Sequence, residues 1–293
     1  MRHRRIGSTD LMASEVGLAV WSLVAGEGAR PDEDAAELLG AALDLGIAYF
    51  EASDSDDDGR AEVLAGQALR RHRDEVTVAT TFGCDTTPRP WDLAPGPRHD
   101  WSADYAGRAL DRSLRRLRLE PIDLWLLHHP GMDAISSDEL FELLEVQVAK
   151  GKIRHYGVLL GPGPGWGDEG AAALTERGVA AVETVHNVAE PSPGRDLAAL
   201  AAESGAGLVV RDPLAPRLDA AGRERLRFLE RDRGQTLDQA LLRFALDLPA
   251  VATALPPVRD RDHLAELAGA ADLGPPTPDD LDRIAELHQR ATP

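Results

Sequence analysis

Apolar positions along the chain follow two alternating rhythms. Short apolar runs, suited to buried strands, fall at residues 17–21, 47–50, 76–80, 122–127, 153–158, 180–185, 207–210 and 251–255. Between them, apolar residues recur every three or four positions at residues 32–45, 60–71, 103–117, 137–150, 171–177, 196–204, 237–246 and 260–270, the period of a helix with one buried face. Strand–helix alternation with short links predicts a parallel sheet covered by helices. Eight such units in one chain predict a closed (β/α)8 TIM barrel forming a single domain over residues 1–293. An open doubly wound sheet is the alternative, and no glycine-rich phosphate fingerprint follows an early strand to support it. Residues 4–16 alternate polar and apolar around Gly7-Ser8-Thr9-Asp10, predicting an N-terminal β-hairpin plug. Residues 219–233 predict an extra helix before unit seven, and residues 278–290 a closing C-terminal helix.

Composition narrows the classes of partner. The formal net charge of −18 opposes binding to nucleic acid or an anionic membrane surface. No apolar run is long enough to span a bilayer, and no apolar signal core follows the basic start, so the chain is expected to be cytoplasmic. The single cysteine, Cys84, excludes an internal disulfide and reads as a small half-buried residue. The scarcity of lysine beside abundant Ala, Arg, Asp and Gly fits a high-GC bacterial coding bias. No exposed heptad pattern calls for an oligomer, so a monomer or weak oligomer is expected.

The polar residues at the expected strand ends carry the chemistry. The segment Glu51-Ala52-Ser53-Asp54-Ser55-Asp56-Asp57-Asp58-Gly59-Arg60-Ala61-Glu62 places five carboxylates within eight residues after a strand. Each must be solvated, paired or protonated. This segment resembles the strand-two region of the aldo-keto reductases. So do Gly17-Leu18-Ala19-Val20-Trp21, Pro121-Ile122-Asp123-Leu124-Trp125-Leu126-Leu127-His128-His129-Pro130 and Gly151-Lys152-Ile153-Arg154-His155-Tyr156-Gly157-Val158. Such pieces, in order along nearly the whole chain, support the barrel; function has to be argued at the site.

The resemblance implies NADPH-dependent carbonyl reduction, in which a tyrosine made acidic by a lysine protonates the carbonyl oxygen. Its catalytic Asp falls on Glu51, its Tyr on Asp56 and its Lys on Thr81; only its His is kept, as His128. Its nicotinamide-amide ligands fall on Leu159, Leu160 and Glu183, its stacking aromatic on Arg211 and the following Ser on Asp212. Its basic residue for the adenosine phosphate falls near Pro257, with Arg259 or Arg261 within reach. NADP(H) is thus implied by resemblance alone. The leucines lack the required hydrogen bonds, and an ionised Glu183 offers no donor, so no cofactor is expected to bind tightly.

Three functions compete for these residues. The first is a non-redox acid/base enzyme of isomerase, lyase or cyclase type. In it His128 carries the proton near its ordinary pKa, Glu51 orients it and Arg211 binds an anionic oxygen. The second is a catalytically retired binding protein whose mouth charges are merely solvated or paired, Arg211 with Glu183 or Asp212. The third is an NAD(P)H-dependent oxidoreductase with unusual proton delivery, through His128 or water. All three expect a small-molecule ligand at the C-terminal mouth. His128, Glu183, His186 and Glu51 are suitable metal ligands but form no local ligand motif, so no metal is expected. His129, as the strand neighbour of His128, is expected to point away from the barrel.

Overall fold

The computed structural model describes residues 1–25, 29–85, 98–162, 166–231 and 234–291, with the backbone alone described at residues 56–57, 231 and 288–291. Eight parallel strands form one sheet: β1 (Leu18–Ala19), β2 (Tyr49–Glu51), β3 (Thr77–Phe82), β4 (Ile122–His128), β5 (Ile153–Leu159), β6 (Ala181–Val185), β7 (Gly207–Arg211) and β8 (Val251–Leu255). Each strand pairs with its sequence neighbour. A parallel bridge between Val16 and Ala254 joins the last strand to the first and closes the barrel. There the Gly17 amide donates to the Ala254 carbonyl at 2.9 Å, and the Ala254 amide to the Glu15 carbonyl at 3.0 Å.

The helices after the strands are α1 (Asp32–Asp44), α2 (Arg60–Leu69), α3 (Ala103–Leu117), α4 (Asp138–Ala149), α5 (Gly167–Glu176), α6 (Gly194–Ser204), α7 (Leu237–Ala245) and α8 (Arg261–Gly269). Local chemistry marks their starts: Ser102, Ser137, Thr236 and Asp260 each accept an amide hydrogen bond at a helix N-terminus. α2 lies close to α3, because a Cβ at Gly66 would stand 1.9 Å from the Leu117 carbonyl oxygen. The closing helix is Pro278–Ala291. The extra helix predicted before unit seven is two short ones, Ala220–Arg225 and Phe228–Arg231. No described helix is long and apolar enough to cross a membrane.

Two apolar layers result. The larger lies between strands and helices; the smaller fills the barrel, where Tyr49, Leu124, Leu126, Val209 and Leu255 meet Ile6 and Leu11 from the hairpin His3–Arg5/Met12–Ser14. Buried charges clamp this lower end. Glu15 accepts from Arg2, Arg4 and Arg243. Burial alone raises the Glu15 pKa, but the three guanidiniums outweigh it and hold the carboxyl below its usual range. Asp123, fully buried on β4, accepts from Arg73 at 2.6 and 2.8 Å, from Arg154 at 2.8 Å and from the Val78 amide at 2.8 Å.

Candidate active site

The opposite end of the barrel collects the chemistry. Side chains alternate along a strand, so Tyr49 and Glu51 on β2 share one face. That face is the interior: both are fully buried, and the Tyr49 hydroxyl lies 3.4 Å from Glu51 Oε2. The Trp21 indole donates to Glu51 Oε1 at 3.1 Å. Trp21 itself begins a helical turn, Trp21–Val24, so the first strand ends two residues earlier than its apolar run predicts.

Facing Glu51 across the barrel is Glu183 of β6, also fully buried, and among the described residues neither of its carboxyl oxygens receives an N–H donor. Two carboxyl groups can hydrogen-bond only when one is protonated. Burial raises both above the ordinary carboxylate range; the Glu51 charge lifts Glu183 further, and Arg211 opposes the rise in each. Burial thus favours a proton on the pair, most strongly on Glu183. Against the expectation of an ionised Glu183, its complete burial beside a second carboxyl disfavours that charge.

Arg211 ends β7. Its Nη2 donates to the Leu160 carbonyl at 2.5 Å, and its Nη1 lies 3.3 Å from His129 Nε2. These described contacts replace the expected ion pair with Glu183 or Asp212. His129 does not point away from the barrel. β4 ends at His128, and His129 adopts a positive φ of 50°, which breaks the strand alternation and swings its ring 3.9 Å from that of His128. Beyond His128 comes a ribbon in which Cys84–Asp85 pairs antiparallel with Arg98–His99. Gly83, at φ 110°, turns the chain into it and leaves room for Trp101. The rings of Trp101, His99, His128, His129 and Trp166 form a continuous array across the mouth. Cys84 is buried, not half-buried.

Burial, with the neighbouring His99 and Arg211, pushes the His128 pKa down to about 4; burial, His128 and Arg211 push that of His129 down to about 3. Both rings are neutral at pH 7, so His128 does not titrate where its ordinary pKa would place it. Between pH ~6.5 and ~4 the unfolded chain binds more protons at these sites than the folded one. Their contribution to stability is complete above that window and falls as pH drops through it. Glu183 acts in the opposite sense, losing stability as pH rises above the unfolded carboxylate value. We expect the urea midpoint to fall between pH 7 and 4.5, and His129→Gln to flatten that fall. An unchanged slope in the variant would refute the assignment.

The remaining sequence candidates separate. Asp54 is buried rather than part of a solvated run, while Asp58 is exposed and bridges to Arg116 at 3.4 Å. The backbone of Asp56 starts the 3-10 turn Asp56–Gly59, and its side chain lies outside the described residues. Thr81, at the lysine position, donates to Ser53 at 3.2 Å. The two lysines, Lys150 and Lys152, both lie just before the start of β5, at the other end of the barrel. Leu159 and Leu160 are buried, with Leu159 in register beside both His128 and Glu183. His186 turns out of the mouth: its Nδ1 meets the Pro191 carbonyl at 2.9 Å, and its ring stacks on Phe244. Asp212 holds a positive φ of 54°, its carbonyl taking the Asn187 amide at 3.0 Å. Arg259 reaches Asp238 at 3.4 Å from a side chain that remains 64% exposed. Sequence reading missed the Glu51–Glu183 pair. The signal available was two carboxyls at facing strand ends with no lysine between them.

Residues 15–289 match the model of the Aldo/keto reductase family. A Bacillus subtilis protein named uncharacterized oxidoreductase YqkF is 36% identical over 159 residues, 54% of this chain and 48% of that protein. A 6-dehydroglucose reductase of Novosphingobium aromaticivorans is 35% identical over 164 residues, 53% and 50% of the two chains. These alignments span about half the length of the curated relatives. Among solved structures, aldo-keto reductase AKR11C1 of Bacillus halodurans, in its holo form, superposes with a TM-score of 0.83 at 27% identity over 98% of this chain and 96% of that one.

Proposed function

The chain belongs to the aldo/keto reductase family, and from that premise we propose that it is a nicotinamide-linked oxidoreductase interconverting a small carbonyl compound and its alcohol. The relatives' names favour redox over non-redox chemistry. The observation that carries the reading is the fully buried carboxyl pair Glu51–Glu183, where burial favours the protonated form and the Arg211 cation opposes it. The resemblance implies a neutral carboxylate–lysine pair and a tyrosine proton donor. Here two carboxyls with one proton and one guanidinium give the same charge balance from different strands.

The residues present fit a nicotinamide. Glu183 lies where the resemblance places a nicotinamide-amide ligand, and a carboxyl oxygen there can accept a carboxamide N–H. The Arg211 guanidinium is planar and can lie against an aromatic ring. Exposed Arg259, in a long contact with Asp238, is available to an adenylate phosphate. A bound nicotinamide would supply the hydride in reduction or accept it in oxidation. His128, neutral at pH 7, hydrogen-bonds the substrate oxygen. In reduction the substrate oxygen would take the proton of the carboxyl pair as the carbonyl carbon receives the hydride that a bound nicotinamide would supply. The pair, briefly doubly ionised against Arg211, recovers a proton from solvent; oxidation reverses each transfer.

The test is titration of the protein with NADH and with NADPH, read by tryptophan emission, followed by turnover of an aldehyde and dicarbonyl panel. Trp21, which donates to Glu51, makes emission a direct reporter on the site. Saturable binding with carbonyl-dependent loss of nicotinamide absorbance is expected. Absence of binding by either dinucleotide would overturn the reading. The Leu159–Leu160 pair favours a second reading, non-redox acid/base chemistry on the same groups. Its signature is turnover of a carbonyl substrate with no change in nicotinamide absorbance.

A further inference from the structure

Cys84 and His99 lie directly opposite each other across the two-stranded ribbon at the mouth. The ribbon sets them against His128 at the end of β4. One ligand atom from each of the three residues lies within 4.8 Å of the other two. The nitrogens closest to each other are His99 Nε2 and His128 Nδ1, 3.4 Å apart.

That spacing has a specific chemical meaning. Two imidazole nitrogens bound to one tetrahedral zinc at about 2.0–2.1 Å stand ~3.3 Å apart, and a thiolate at about 2.3 Å stands ~3.6 Å from each of them. The histidine pair is already at the first separation. The thiol needs a shift of at most about an ångström, within the range of a side-chain rotation. As a hydrogen bond, by contrast, 3.4 Å between two ring nitrogens is long. Cys84 is the chain's single cysteine, so no internal disulfide competes for its sulfur.

We propose that Cys84, His99 and His128 form a binding site for a divalent zinc ion at the mouth of the barrel. One thiolate and two imidazoles are ligands of the borderline-soft class that zinc takes readily, unlike the oxygen sets of magnesium or calcium. Three protein ligands leave a coordination position open. The ion joins the ribbon, which supplies two ligands, to the barrel wall, which supplies the third. Coordination through Nδ1 also fixes the His128 tautomer, leaving its Nε2 bearing hydrogen and able to donate to a substrate oxygen.

The test uses the full chain, stripped with chelator and titrated with Zn2+ and, as a spectroscopic probe, with Co2+. One equivalent of Zn2+ is expected to bind. Co2+ is expected to give the visible bands of tetrahedral cobalt and a thiolate charge-transfer band. Cys84→Ser removes the charge-transfer band, and both Cys84→Ser and His99→Ala weaken binding by about a hundredfold or more. His155→Ala, at the Asp10 contact far from the ribbon, leaves binding unchanged. Far-UV circular dichroism confirms that each variant is folded. Wild-type protein that takes up no stoichiometric metal, or uptake unaltered by Cys84→Ser, overturns the site. The readout is metal content and spectrum, so failure to find carbonyl turnover leaves this result standing.

Discussion

Asp123→Ala is expected to destabilise the protein by ~3–5 kcal/mol, the cost of breaking a buried ion pair from one side. Asp123 is fully buried, and it is the common acceptor for Arg73, Arg154 and the Val78 amide. Its loss leaves two guanidiniums facing each other at the lower barrel and one strand amide without an acceptor. The amide is the more stringent term, since a buried N–H cannot recover its lost partner from water. Asp123→Asn keeps an oxygen for the Val78 amide and is expected to cost roughly half as much. For a chain of this length the alanine variant corresponds to a fall in Tm of roughly ten degrees, read by scanning calorimetry. A shift under two or three degrees would show that the arginines find other partners.

Glu183→Gln is the variant with the largest expected effect on chemistry. The amide preserves shape and can still hold a carboxamide, so dinucleotide affinity is expected to stay within about threefold. The shared proton disappears, and turnover is expected to fall by ~10²–10⁴, the range for loss of a general acid. Glu51→Gln tests the same proton from the other carboxyl and is expected to give a similar loss. Stability responds in the opposite direction to rate. Removing one of two facing carboxyls relieves their repulsion, so Glu183→Gln is expected to resist denaturation better than the wild type, increasingly so as pH rises above the unfolded carboxylate value. Turnover preserved in both variants would exclude the pair as the proton source.

The barrel was legible in the sequence because its strands are short apolar runs separated by segments of helical period, and few other folds accept eight such units in order. Strand ends were harder. Trp21 reads as the end of an apolar run, yet its indole is required at Glu51 and the chain turns into a helix there. The orientation of His129 was misread because alternation holds only inside a strand, and a positive φ one residue past its end reverses it. Glu51 and Glu183 were each identified singly. Their partnership was not, because residues on β2 and β6 meet only through barrel closure. His99 went unremarked for a similar reason: the pairing of Cys84–Asp85 with Arg98–His99 is what brings it to His128.

The seam between β8 and β1 governs how this chain can be made. β1 contributes two residues, and closure depends on Val16 meeting Ala254. Arg4, near the start, reaches the carbonyls of Leu246 and Val251, near the end. A ribosome must therefore emit almost the entire polypeptide before the sheet can lose its open edges. Until then the nascent chain carries unsatisfied strand backbone at both margins, the condition under which chaperones engage and intermolecular pairing competes. Synthesis halted just before Val251–Leu255 yields a product that has made most of its local structure and still cannot shut.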